Sequence, residues 1–313
     1  MIVSVVVIAY NEQDNLPHTV AALLAQTADC DLEVLIVNDG SRDATLAVAD
    51  DLHRQDQRVR VVDLGVNRGR GAARAAGVDA ATGSYIAFVD ADIVVPPDWI
   101  SVCLDNIDDV VACGGTAVPD GDVTWTHRAF ALFPRTVAHT VAVTGSNGLF
   151  RREVFDLIGF DASLRQGEDV ALNREMDRLG LVTRTIPGLL VEHHETKTFA
   201  ESARWLFVSG VGATRHLLAA RRIRTPDLAF AGFVALTSAA VLLTLTGPAR
   251  WGTLAACAAA GYLLAVSALH LSRKFHVRRA PVRTTAATVA HAGLLLAYFA
   301  GRAVGLVHRP TAA

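Results

Sequence analysis

Two aspartates separated by one residue, Asp90 and Asp92, close an apolar run over residues 85–89. The run predicts a buried parallel strand, and ligands bind beyond the carboxyl ends of such strands in α/β sheets. Ionised carboxylates must be solvated, paired or bound to a cation. Because Mg²⁺ and Mn²⁺ suit carboxylates together with substrate phosphates, the two aspartates predict a cation site. A solvated turn is the alternative for this short motif taken alone.

Polar residues also follow two earlier strands. Tyr10, Asn11 and Glu12 come after the β-branched run Val3–Ala9, and Asp39 follows the apolar run Leu32–Val37. Parallel strands end at one edge of a sheet, so these side chains are expected to meet Asp90 and Asp92 there. The turn after the first strand has no glycine, which excludes a dinucleotide-binding dehydrogenase.

Alternating elements must position these residues. Strands are predicted at Val3–Ala9, Leu32–Val37, Val59–Leu64 and Ser84–Asp90, and helices at Leu16–Gln26, Asp43–Arg54 and Arg70–Ala81. This alternation predicts an α/β fold with a mainly parallel sheet flanked by helices. Further on, the patterns favour strands at Val110–Val118, Leu181–Ile186 and Leu189–Val191, a helix at Glu168–Leu179 and a chemically interesting segment at Gly145–Phe150.

The charge distribution separates a C-terminal region from the rest. Residues 1–227 carry all 31 acidic and 21 of the 29 basic residues, whereas residues 228–313 carry eight basic and no acidic residues. The acidic first part excludes nucleic acid as the main partner. We therefore predict a catalytic domain over 1–227 and a membrane domain over 228–313. The four cysteines form no CxxC pair and fit a reducing compartment, and the N-terminus is interpreted as a strand and not a signal peptide.

Two or three stretches of the C-terminal region are long enough to span a bilayer as helices. They lie at about 228–247, 252–272 and 284–307, the third being interrupted by His291 and Arg302. Basic residues cluster before the first stretch and between the second and third. The positive-inside rule then predicts a multi-pass protein of the plasma membrane whose catalytic domain is cytoplasmic.

Six motifs occur in an order that resembles the family 2 glycosyltransferases, which have a GT-A fold. The first four occupy residues 4–12, 34–41, 67–74 and 89–92, and acceptor-side and acid-pair segments follow at 145–152 and 167–169. The segment 201–205 is similar to the QxxRW motif of processive members, with Glu201 in place of glutamine. The resemblance covers about residues 2–205.

The resemblance implies roles for the strand-end residues. Asp39 would accept a hydrogen bond from the nucleotide base, usually uracil, in a pocket lined by Ile8, Ala9, Tyr10 and Glu12. Asp90 would bind the ribose side and Asp92 the metal on the diphosphate. Arg74, together with Arg68 and Arg70, would contact phosphate, although a solvated helix face explains these arginines equally well.

The second half of the motif set implies the chemistry. Asp169 would be the catalytic base, although an acidic pair also suits a helix N-terminus. Glu168, Asn147, Arg204 and Trp205 would lie on the acceptor side, with anchoring of the membrane interface as the alternative for Trp205. His193 would reach the metal or the diphosphate, although a structural role is as frequent for a single histidine.

The resulting hypothesis is an inverting glycosyltransferase that needs Mg²⁺ or Mn²⁺. It would move a sugar from a nucleotide-sugar, expected to be a UDP-sugar, to a hydroxyl of a lipid-linked or other glycan acceptor. Two alternatives remain open: a polyprenyl-phosphate glycosyltransferase, whose acceptor needs no base, and a non-catalytic nucleotide-binding membrane scaffold. The sugar, the linkage and the oligomeric state do not follow from the sequence.

Overall fold

The computed structural model describes residues 1–119, 143–194, 199–220, 223, 225–278 and 284–307. These residues form two compact units, of which the first ends at residue 194 and the second begins at residue 199. Among the basic residues used above to predict orientation, Arg221, Arg222, Arg224, Arg279 and Arg283 lie outside the described residues.

The first half of the first unit alternates strands and helices as predicted. It contains β1 Ile2–Ala9, α1 Leu16–Leu24, β2 Asp31–Asn38, α2 Thr45–Gln55, β3 Val59–Asp63, α3 Arg70–Ala80 and β4 Tyr85–Asp90. These four strands are parallel and lie in the order β3-β2-β1-β4. Each differs by at most two residues per end from its prediction, because continuous β-branched runs are buried on both faces of a parallel sheet.

The second half of this unit makes the sheet mixed. It adds β5 Ile93–Val94, α4 Trp99–Leu104, β6 Ala112–Pro119, β7 Asn147–Arg151, α5 Glu153–Leu157, α6 Glu168–Arg178 and β8 Thr183–His193. The full order is β3-β2-β1-β4-β7-β6-β8-β5, in which β7 is antiparallel to both β4 and β6. The two short strands predicted at 181–186 and 189–191 are one strand, β8. Gly188, with φ +82°, and a register shift opposite Gly114 and Thr116 interrupt its pattern.

The sheet has an apolar core on each face. Val5 and Val7 of β1 belong to the cluster on one face, and Val6 belongs to the cluster on the other, as the two-residue period of a strand requires. All three side chains are fully buried. Cores on both faces hold the strands of the first half rigidly, so the positions of their carboxyl ends are well defined.

The second unit consists of long helices, α7 Phe199–Ala220, α8 Thr225–Thr246, α9 Ala249–Arg278 and α10 Thr284–Val307. The last three contain windows that are long and apolar enough to cross a membrane. Helices α8 and α9 form an antiparallel hairpin, in which the Tyr262 hydroxyl donates to the Ala229 carbonyl over 3.2 Å. Helix α7 belongs to this unit, although the charge pattern groups its residues with the first part of the chain.

Candidate active site

Three strands of the parallel half end side by side. Ile8 lies opposite Asp90 on β4, and Ala9 lies opposite Asn38 on β2. The residues after β1, β2 and β4 are therefore neighbours at one edge of the sheet. Ala9 is buried, whereas Tyr10 is exposed and extends from this edge.

The turn after β1 is tied to the loop after β2. Asn11 has a left-handed backbone with φ +56°. Its Oδ1 accepts the Arg42 N–H at 2.8 Å, and its own N–H donates to Ser41 Oγ at 3.0 Å. The Glu12 N–H donates to Thr45 Oγ1 at 2.8 Å. These bonds hold two walls of the predicted nucleotide pocket together.

Asp39 fixes the beginning of α3. Its carboxylate accepts the backbone N–H groups of Arg68 at 2.6 Å and Gly69 at 2.9 Å, and the residue is only 5% exposed. Gly40 next to it has φ +65°, and a Cβ there would meet the backbone of Val66. The carboxylate has further lone pairs for a ligand, and its contact with a nucleotide base stays a prediction.

Asp92 and His193 are brought together by the sheet. His193 lies opposite Ile93 on β5, and its Nε2 is 3.0 Å from Asp92 Oδ2. The backbone N–H of His194 donates to the Asp92 carbonyl at 2.8 Å, which fixes the approach of β8 to this turn. The two side chains are 12–13% exposed, so they are accessible from one direction only. Asp92 and His193 are expected from the sequence to bind the same metal ion, and their side chains are neighbours in the structure.

The pair fits part of a divalent cation site. A carboxylate oxygen and an imidazole nitrogen are suitable donors for Mn²⁺, and a cation of this type keeps water and substrate oxygens among its ligands. Within the described part of the chain, no group of three or more His, Cys, Asp or Glu side chains is arranged to hold a metal ion by itself. A cation here would therefore depend on oxygens of the substrate.

Arg74 lies behind Asp90. Its Nη2 donates to Asp90 Oδ1 at 2.8 Å and to the Gly145 carbonyl at 2.9 Å, and its Nη1 forms an ion pair with Glu168. The guanidinium carbon lies 5.9 Å from the centroid of the Phe160 ring. Burial lowers the pKa of Arg74 despite the neighbouring carboxylates. Only 2% of the residue is exposed, and its guanidinium binds these protein groups. Contact with a phosphate, which the resemblance implies, stays a prediction.

The acid pair at the start of α6 is divided between two environments. Gly167, with φ +80°, precedes the helix and lets the chain turn into it. Glu168 is 2% exposed and faces Arg74, so its carboxylate does not project toward solvent where an acceptor would bind. Asp169 is half-buried, and of the two it is the carboxylate accessible to a ligand.

Arg70 is the first residue of α3 and comes shortly after the loop that Asp39 holds. Packing of protein around its guanidinium lowers its pKa, but the negative charges of Asp90, Asp92, Asp169 and Glu12 outweigh that effect, and the pKa is raised overall. The residue as a whole is exposed. The direction of this shift indicates an electronegative environment at the start of α3.

The remaining predicted residues have other surroundings. Asn147 on β7 is 1% exposed, and its Oδ1 accepts the Gly115 N–H at 2.7 Å, which joins β7 to β6. Arg204 is exposed and Trp205 is half-buried on α7 of the second unit. Their acceptor-side roles, like that of Asn147, stay predictions.

Two parts of the site were missed by sequence reasoning. One is Phe160, and the other is the role of Gly145, which was expected on the acceptor side but packs on Arg74, so that a Cβ there would collide with the guanidinium. A signal was present: Gly71, Arg74 and Gly77 recur at helical spacing on one face of an alanine-rich helix, which indicates that the face is buried.

A profile of "Glycosyl transferase family 2" matches residues 4–159. The matched segment contains the strand ends of β1, β2 and β4 together with Asp39, Asp90 and Asp92. It ends before the acid pair and the histidines of β8.

Curated relatives cover the same region. The chain is 34% identical over 190 residues to a glucosyl-dolichyl phosphate glucuronosyltransferase of Haloferax volcanii, covering 54% of this chain and 59% of the relative. It is 34% identical over 197 residues to the succinoglycan biosynthesis protein ExoO of Rhizobium meliloti, covering 54% of each. The chain spans between a third and three fifths of the length of the first relatives it matches.

A solved structure extends the likeness to both units. A mannosyltransferase of Pyrobaculum calidifontis, solved with GDP-mannose and Mn²⁺, covers 94% of this chain and 85% of its own, with a TM-score of 0.59. At 20% sequence identity, this likeness shows a shared fold alone.

Proposed function

Residues 4–159 identify this chain as a member of glycosyl transferase family 2, and we propose that it is a membrane-associated glycosyltransferase with a nucleotide-sugar donor. The sugar would pass with inversion to a hydroxyl of a lipid-linked glycan. The geometry of the first unit supports the donor half of this proposal, and the apolar helices of the second unit support the membrane half.

The observation that carries the proposal is the convergence of carboxylates at one sheet edge. Arg74 pairs with both Asp90 and Glu168, the residue before Asp169, and Asp92 lies 3.0 Å from His193. A structural core has no use for so many acidic groups around one arginine, because burial of charge is costly unless each charge is compensated. A site for a diphosphate and its counterions explains them.

The chain's own residues divide the chemistry of transfer among them. Asp169 accepts the proton of the acceptor hydroxyl. The oxygen of that hydroxyl bonds to the anomeric carbon of the sugar, while the bond from that carbon to the diphosphate breaks. A divalent cation bound at Asp92 and His193 would stabilise negative charge on the diphosphate. Arg70 orients and partly neutralises the surrounding carboxylates. One displacement at the anomeric carbon inverts its configuration.

The nucleotide base and the sugar of the donor are proposed by analogy alone. The resemblance favours UDP, whereas the solved mannosyltransferase binds GDP-mannose. A relative whose name includes glucosyl-dolichyl phosphate supports a lipid-linked sugar as the acceptor. The basic residues that flank the apolar stretches support a cytoplasmic position for the first unit in the plasma membrane.

A donor panel tests the proposal. The full chain, purified in detergent with Mn²⁺, is offered several UDP- and GDP-sugars, and release of the nucleoside diphosphate is measured with and without membrane lipid extract. We expect one donor to be consumed and the Asp169→Asn variant to lose about 10²–10⁴-fold of the transfer rate. Asp177→Asn, an exposed carboxylate on the same helix, is the matched control.

The other outcomes separate the alternatives. Full activity of Asp169→Asn would indicate an acceptor that is already anionic, as in a polyprenyl-phosphate glycosyltransferase. A non-catalytic scaffold would consume no donor, and calorimetry would detect no Mn²⁺-dependent binding of UDP or GDP.

A further inference from the structure

Helix α10 differs from α8 and α9 in how much of it is covered by protein. Half of its apolar window is buried within the described structure, against 11% for the window in α8 and 17% for the window in α9. All three windows satisfy the length of a membrane span. Length and composition therefore do not distinguish them, whereas their contacts do.

Helix α10 lies parallel to α7 and in close contact with it. A Cβ on Gly301 would meet the Phe207 carbonyl, and a Cβ on Gly305 would meet Val211. Earlier in both helices, Gly293 lies against the Phe199 ring. Small residues allow the two backbones to approach, as in closely packed helix pairs. The two helices thus run together over most of the length of α10.

An ion pair fixes the end of α10 at the beginning of α8. Arg302 is fully buried and donates to Asp227, the residue at which the apolar window of α8 starts. If α10 crossed the bilayer from the side on which α9 ends, Arg302 would lie near the opposite surface, roughly 30 Å from Asp227. The pair excludes that arrangement.

The reverse direction is excluded by the length of the connection. Tyr262 of α9 is level with Ala229 of α8, so the 16 residues from there to Arg278 extend about 24 Å past that level. Six Cα steps lead from Arg278 to Thr284 and cover at most about 22 Å. Thr284 therefore cannot lie at the far end of the hairpin.

Among the described residues, the buried apolar contacts of α10 with the hairpin form one cluster. Residues from Ala292 to Phe299 share a cluster with α8 and α9, whose members come from 229–233 of α8 and 263–266 of α9. Both segments belong to the end of the hairpin where α8 begins. A third span would instead contact the hairpin along its length.

Three polar side chains of α10 face protein, and the exposed face over residues 288–307 is apolar. His291, Tyr298 and Arg302 are 0–3% exposed. The exposed residues among 288–307 are all apolar and form a stripe along the helix, with Gly293 at its edge beside Phe199: Val289, Gly293, Leu296, Ala300, Ala303, Val304, Leu306 and Val307. An exposed helix face in water is normally polar. The exposed residues of the hairpin, such as Val241 and Leu254, are also apolar, so we infer that the partner of both surfaces is lipid.

We propose that α10 lies in the plane of the bilayer, at the boundary between headgroups and acyl chains on the side where α8 begins, and that the chain crosses the membrane only twice. Helix α7 backs α10, and the stripe faces the acyl chains. This inference rests on the membrane association proposed above but not on the transfer reaction.

Depth measurement by spin labels tests it. Single cysteines replace Val289, Leu296 or Val304 on the stripe, and Val234, Val241 or Leu245 on α8 provide the matched control. The background carries Cys30→Ser and Cys257→Ala, while the buried Cys103 and Cys113 are kept. In proteoliposomes, accessibility to oxygen and to a nickel chelate gives the depth of each nitroxide.

We expect the three stripe labels to lie at one shallow depth, while the α8 labels span about 16 Å. A progressive change of about 22 Å along the stripe would show a third span and overturn the inference. Stripe labels that are all fully exposed to water would also overturn the inference. Exclusion of both oxygen and the nickel chelate from these labels, as expected if a second copy of the chain covers the stripe, would overturn it too. Aqueous α8 labels would overturn the membrane association itself, and none of these results depends on activity.

Discussion

Each unit contains a completely buried arginine, and the two differ in how their charge is balanced. Arg74 in the first unit meets two carboxylates, Asp90 and Glu168, whereas Arg302 in the second unit meets the carboxylate of Asp227. Aromatic rings lie against both guanidinium groups.

The difference follows from the surroundings. Arg302 and Asp227 are both buried among the apolar side chains of the helices, where this base and this acid are matched one to one. At the sheet edge of the first unit, the acids exceed the bases, and the excess negative charge has access to solvent through Asp92 and Asp169. An excess of acid near a fixed arginine would suit the cation site proposed above, since a cation would complete the charge balance.

The largest effect is expected when Arg74 is replaced. Arg74→Met leaves Asp90 and Glu168 buried without their partner, which should destabilise the first unit by about 3–5 kcal/mol and abolish transfer. Chemical unfolding followed by tryptophan fluorescence measures the change. Arg68→Met, an exposed side chain in the loop that precedes α3, should be close to neutral. Unchanged stability of Arg74→Met would contradict the assigned ion cluster.

A smaller effect is expected at Arg302, which faces one carboxylate and not two. One neutral substitution of that carboxylate can therefore restore the charge balance. Arg302→Met should cost about 2–4 kcal/mol, and adding Asp227→Asn should recover most of the loss. Thermal unfolding in detergent of the two single variants and the double variant forms the cycle. Adding Glu168→Gln to Arg74→Met should recover only part, since Asp90 remains. Equal recovery in both units would remove the distinction drawn above.

Packing without charge should matter less. Gly301→Ala places a methyl group against the Phe207 carbonyl, so we expect a loss of about 1–3 kcal/mol from the contact between α7 and α10. Gly261→Ala, where no atom lies near the added group, should stabilise α9 slightly. Melting temperatures of the two variants, measured in the same detergent, test the expected loss for Gly301→Ala and the expected gain for Gly261→Ala.

The smallest effect concerns an acid that is paired at the protein surface. Burial raises the pKa of the Glu33 carboxyl, but hydrogen bonds from Ser4, Thr82 and Arg60 lower it by a larger amount. The net pKa therefore lies below its usual range. A lowered folded pKa gives stability that is present above the unfolded pKa of about 4.3 and is lost as the pH falls through the folded value. Glu33→Gln should cost about 1 kcal/mol at pH 7 and progressively less below pH 4.3. Urea unfolding at several pH values would reveal a constant gap if this explanation is wrong.

The sequence predicted the family and the fold class because its strongest signals are local. Continuous β-branched runs define β1, β2 and β4, and the polar residues that follow them must meet where parallel strands end. The proximity of Asp92 and His193 required the family resemblance, since 101 positions separate them. The antiparallel insertion of β7 depends on pairing between distant segments, which periodicity does not encode.

Buried charge was the main surprise. Arg74 was expected either to contact phosphate or to lie on a solvated helix face, and its burial excludes the solvated face, because this side of α3 packs inward between glycines. Arg302 was counted against a third span. A lone charge in an apolar stretch implies a partner, and Asp227 is the last acid in the chain, so this pair was open to prediction.

The bonds between the Asn11 turn and the loop at 41–45 have a practical consequence for engineering. Because each segment supplies the other's hydrogen-bond partners, single replacements in either one disturb both. We expect nucleotide preference to be transplanted between homologous enzymes by exchanging residues 8–45 as one block, with the left-handed asparagine retained or replaced by glycine, and not by grafting isolated side chains.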